Sequence, residues 1–83
     1  MSYTAENLAE LNVLLQFATP SSLDGIKIHK SADKQLIAAA SRLFVQGFIT
    51  QTDGGYLTTL GIETAEHAHL LAGLLNADKV SSA

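Results

Sequence analysis

The chain has 83 residues, eight acidic and five basic side chains for a net charge of −3, and no cysteine. That length admits a single domain with one core, and the missing cysteine excludes a disulfide scaffold, a thiol nucleophile, a zinc finger and an iron–sulfur centre. Apolar residues make up 47% of the chain, but 12 of them are alanine, so large side chains are thinly spread and self-association would help a fold of this size. Glu6 and Glu10 stand in the first 19 residues with no Lys or Arg, unlike a basic targeting leader. The longest apolar block, residues 70–75, is far short of the roughly 20 needed to cross a bilayer. The expectation is a soluble, cytoplasmic chain with no membrane partner. Four of the five cations, Lys27, Lys30, Lys34 and Arg42, fall within residues 24–46, and the flanking segments are acidic.

In chain order, Leu8, Leu11, Leu15 and Ala18 recur at helical spacing with Leu14 beside them, which predicts an amphipathic helix over about 5–17 with Thr4 as N-cap. Pro20 with Ser21 and Ser22 stops it. Within segment 23–30 the alternation Ile26, Lys27, Ile28 suits a short strand or one helical turn. Ser31 is a suitable N-cap for a second helix over about 32–46, closed by Gly47. On it Leu36, Ala40, Leu43 and Phe44 form a core face bordered by Ile37. Lys34, Ala38, Ser41, Arg42 and Val45 form the opposite one, flanked by Gln35 and Gln46. Residues 48–51 and 56–58 are β-prone, and Asp53-Gly54 between them supplies the positive φ values of a tight hairpin. A last helix is predicted over about 60–76, then a polar tail that frays over 78–83.

That last helix is more apolar than one contact requires. Thr64, Ala68, Leu71 and Leu75 form one stripe and His67, Leu70 and Leu74 a second. The simplest second partner is another copy of the chain, joined through Leu70, Leu71, Leu74 and Leu75.

The order helix, short segment, helix, hairpin, helix, together with Arg42 to Thr50, Gly54-Gly55-Tyr56-Leu57-Thr58 and Gly61, resembles a winged helix-turn-helix domain with a C-terminal helix. The fold class this implies is mainly α with a small β-hairpin, an α+β single domain over residues 1–83. Gly25-Ile26-Lys27-Ile28-His29 and the stretch from Gly54 to Gly61 also resemble a small bacterial family of about this length, described as conserved hypothetical or DNA-binding proteins. That small family carries no biochemical role to transfer; the winged-helix resemblance implies a transcriptional regulator that binds double-stranded DNA, with helix 32–46 in the major groove. Lys34, Gln35, Ala38, Ser41 and Arg42 then face the duplex, while Lys27, Lys30 and the helix start at Ser31 hold phosphates. The hairpin tip carries Asp53 and no cation, so the wing is not expected to grip DNA. The alternative is a winged-helix module that binds a protein partner through the same face.

Catalysis finds little support. His67 and His69 lie about 200° apart on a helix and cannot chelate one ion, and Glu63 with His67 reads as a surface pair. Asp24, His29 and Ser31 lack the strand–turn–helix setting of a nucleophile, and no glycine pattern forms a phosphate loop. Neither an enzyme nor a metal or cofactor is expected. His29 is expected to pack or to cap, and Tyr56 to pack on the second helix with its hydroxyl wet.

Overall fold

The computed structural model describes residues 1–17 and 24–81. Three helices, α1 (Ala5–Leu15), α2 (Lys34–Val45) and α3 (Thr59–Ser81), surround three short strands, β1 (Ile26–Lys27), β2 (Ile49–Gln51) and β3 (Gly54–Leu57). The strands form an antiparallel sheet in the order β1-β3-β2, so the fold is mixed α+β. Residues 16–33 separate α1 from α2 and include β1; the two helices are therefore not joined by the three- or four-residue turn of a helix-turn-helix.

Thr4 caps α1 as its sequence predicts. The Asn7 N–H donates to Thr4 Oγ1 at 3.0 Å, and Asn7 Oδ1 accepts from the Thr4 N–H at 3.1 Å, a reciprocal pair that satisfies two otherwise orphaned donors. The helix ends at Leu15 rather than Phe17. Its expected stop at Pro20, Ser21 and Ser22, and Ala18 of its predicted stripe, lie outside the described residues. The buried face also differs from the leucine stripe: Ala9, Val13, Leu14 and Phe17 are buried, Leu11 and Leu15 are half-buried, and Leu8 is exposed. Small residues explain the shift. Five of the eleven buried apolar residues among those described are alanine, Ala9, Ala39, Ala40, Ala65 and Ala68. The interior is filled by backbones brought close together, and α1 packs on both α2 and α3.

Segment 23–30 resolves at Ile26–Lys27 into β1, whose partners are Gly55 and Gly54 of β3. The two glycines carry the positive φ values, 127° and 72°, and Asp53 does not, so the turn geometry falls one residue later than Asp53-Gly54 predicted. Both are buried; a Cβ on Gly54 would lie 2.6 Å from the Ile26 carbonyl oxygen, which is the space β1 occupies.

At the end of α2, the Gly47 N–H donates to the Phe44 carbonyl and the Phe48 N–H to the Leu43 carbonyl, the double closure expected of a glycine at C′. Thr58 then joins three elements. Its hydroxyl donates to the Gly47 carbonyl at 2.6 Å and accepts from the Gly61 N–H at 3.0 Å, while its own N–H donates to the Phe48 carbonyl at 3.1 Å. A side chain at Gly61 would collide with that same Phe48 carbonyl. The stretch from Leu57 to Gly61 is thus the joint that seats α3 against the start of β2. Further along, His69 Nε2 donates to the Phe17 carbonyl at 2.7 Å and fastens α3 to the end of α1. The helix continues to Ser81, past its expected end at 76 and through the start of the predicted tail, and from Gly73 to Ala77 it is exposed.

Candidate binding face of the second helix

Helix α2 buries Ala39, Ala40 and Leu43 and turns Lys34, Gln35, Ala38, Ser41 and Val45 to solvent. This ridge of small side chains with a cation at its first turn is the face expected from sequence without Arg42. Clefts flank it on two sides. Toward α1, Lys34, Gln35, Ala38 and Arg42 line a concavity of about 280 Å³ with Glu6 and Ala9. Toward β1 and the hairpin, Lys27, Lys30, Ser31 and Ser41 line a groove of about 930 Å³. The eight residues assigned to DNA therefore divide four and four about the helix.

Arg42 does not face outward as expected. Its Nε donates to Glu10 Oε2 at 2.7 Å, and the guanidinium also reaches the Glu6 carbonyl at 3.4 Å. Glu10 is held in turn by Asn7 Nδ2 at 3.1 Å. The side chains are 33% and 16% exposed, so the guanidinium is committed to clamping α2 on α1 and is not free for a phosphate or base edge.

The start of α2 departs from expectation as well. Residues 30–32 form a turn in which the Ala32 N–H donates to the His29 carbonyl at 3.0 Å. The N-cap is consequently Asp33, whose Oδ1 accepts from the Gln35 N–H at 2.8 Å, and not Ser31. A carboxylate at the positive end of the helix repels an approaching phosphate, which removes the helix start from the phosphate contacts assigned to Ser31. Lys27 and Lys30 remain exposed. The hairpin turn folds back toward β1, with the Ile28 N–H donating to the Asp53 carbonyl at 2.7 Å.

Three aromatic side chains take places other than those expected. Phe44, assigned to the core, is 40% exposed. Tyr56 is exposed with its ring over Gly25 and not on α2. His29 neither packs nor caps through its ring, which is exposed; only its carbonyl serves the turn. His67 and Glu63 are exposed on α3, and among the described residues no group of three His, Cys, Asp or Glu could hold a metal ion. Among those residues, too, no helix is long and apolar enough to cross a membrane.

On α3, Leu70, Leu74 and Leu75 are 62%, 66% and 70% exposed, and Leu71 is half-buried. At 100° per residue Leu70 and Leu74 project roughly 150–170° away from the buried Ala65 and Ala68. Leu75 points nearer the core direction and is exposed because the helix has outrun the core. The sequence signal for the Arg42 clamp is the pair Glu6 and Glu10, two carboxylates on a helix with no cation of its own.

Residues 1–76 match the family of unknown function DUF5669, and the chain belongs to that family. No curated protein and no solved structure matches it.

Proposed function

We propose that this DUF5669 protein is a winged-helix regulator that binds double-stranded DNA, with the α2 ridge entering the major groove and lysines on either side touching phosphates. The observation that carries this reading is the ridge itself: Ala38 and Ser41 allow close approach, Lys34 stands free at one end, and Lys27 and Lys30 are exposed across the adjacent groove. The hairpin β2–β3 directly after α2, with β1 paired to β3, is what supports the winged-helix part of this reading, while the long connection between α1 and α2 is not that of a helix-turn-helix. Asp33 and Asp53 beside the lysines, and a net charge of −3, make the affinity modest and dependent on low salt.

A protein partner is the second reading, favoured by Val45, 78% exposed at the other end of the same ridge, with Phe44 40% exposed beside it. In either case the chain acts as a homodimer through α3. Gly73 supports this: glycine within a helix is about 1 kcal/mol worse than alanine, and among the described residues nothing beyond its own stretch of helix lies within 4 Å of where its Cβ would be. A second helix approaching the Leu70–Leu74 side would use that space.

Fluorescence anisotropy of a labelled duplex at low salt separates the two readings. The DNA reading expects binding that the joint Lys27→Ala, Lys30→Ala, Lys34→Ala variant loses while Val45→Ser retains it; binding by neither protein, or equal binding by wild type and the lysine variant, would overturn it.

A further inference from the structure

The groove between β1, the turn at residues 30–32, α2 and the hairpin turn carries more chemistry than a phosphate contact requires. Its about 930 Å³ falls within the range of small-molecule clefts. The floor is apolar: the half-buried Ile37 supplies its accessible surface together with an edge of Ile28, and Ala40 lies fully buried beneath them. Around it stand Lys27, His29 and Lys30, all exposed, with the half-buried Asp53 on the hairpin side. None of these four side chains has a hydrogen-bond or ion-pair partner among the described residues. This contrasts with Arg42 and Glu10, which are spent on each other. An apolar floor with two free cations and one free carboxylate at its rim is complementary to a flat ring bearing a phosphate and a hydrogen-bond donor.

We propose that this groove binds a nucleoside monophosphate, with the phosphate on Lys27 and Lys30, the base against Ile37 and the accessible edge of Ile28, and the exocyclic amine donating to Asp53. Lysine suits phosphate as a compact charge, and Asp53 distinguishes an amine-bearing base from a plain aromatic acid, which would present a second anion to it. The site does not rest on the DNA reading, because occupancy is measured without DNA; where both hold, the nucleotide and the duplex compete for Lys27 and Lys30.

The experiment is an NMR titration of the full chain with AMP, adenosine and inorganic phosphate in parallel. AMP is expected to give saturable shifts centred on the amides of Ile28, Ala40 and Ser41, with adenosine and phosphate each binding more weakly. The double variant Lys27→Ala, Lys30→Ala is expected to weaken AMP by about tenfold or more with its thermal midpoint unchanged, both side chains being exposed. Asp53→Asn should narrow the gap between AMP and phosphate. Shifts that do not saturate at millimolar AMP, shifts centred elsewhere, or phosphate matching AMP in affinity would each overturn the assignment.

Discussion

Arg42 and Lys34 lie about two turns apart on α2 and do different work. Arg42→Ala removes a partly buried ion pair and leaves Glu10 with Asn7 alone, so it should lower stability by about 1 kcal/mol, a shift of several degrees in thermal midpoint. Lys34→Ala should leave the midpoint unchanged and weaken DNA binding across all sequences, reducing the salt slope by about 1 per chain. Thermal melts and DNA titrations of the two variants, run side by side, check the division. That both cations stand on one helix, and that Lys34 is exposed on it, was legible from the sequence. Their roles were not, because the Arg42 partner lies 32 residues away and the pair exists only where α1 crosses α2.

Local chemistry was more legible at the scale of the elements. Thr4 as a cap, Gly47 as a helix stop, the hairpin and the Leu57-Thr58 exit toward Gly61 were all readable, since each depends on backbone conformation or on bonds to near neighbours. The start of α2 was not, because Ser31 and Asp33 are both good caps and the preceding turn decides between them. Urea denaturation should find Asp33→Ala destabilising by about 1 kcal/mol and Ser31→Ala neutral within about 0.5 kcal/mol; the reverse order would restore Ser31 as the cap. Gly61→Ala should lose about 2 kcal/mol or more, because its Cβ has no room beside the Phe48 carbonyl. The alternation at Ile26–Ile28 left β1 undecided for a different reason: a two-residue strand takes its stability from β3, nearly thirty positions away, and no local pattern encodes that pairing.

At the scale of the whole molecule, α3 is the element that the monomer does not use up. Its first turns are seated on Phe48 and on α1, while the part bearing Leu70, Leu74 and Leu75 reaches beyond the core. The excess of leucine was legible in the sequence, but the role of alanine was not. Counting large side chains gave too little weight to a core in which helices meet through Ala9, Ala39, Ala40, Ala65 and Ala68. Light scattering should give the mass of a dimer for the wild type and of a monomer for Leu74→Glu, with the fold intact because Leu74 is 66% exposed; a wild-type monomer at high concentration would remove the proposed interface.

On the proposed function, duplex DNA is held by three lysines per chain, Lys27, Lys30 and Lys34. The most direct measurement is the slope of log affinity against log salt for a fluorescent duplex. Six lysines in a dimer predict a slope of about −5, with Arg42 contributing nothing to it. No binding at low salt, or a slope that survives removal of Lys27, Lys30 and Lys34, would rule out DNA binding through this face.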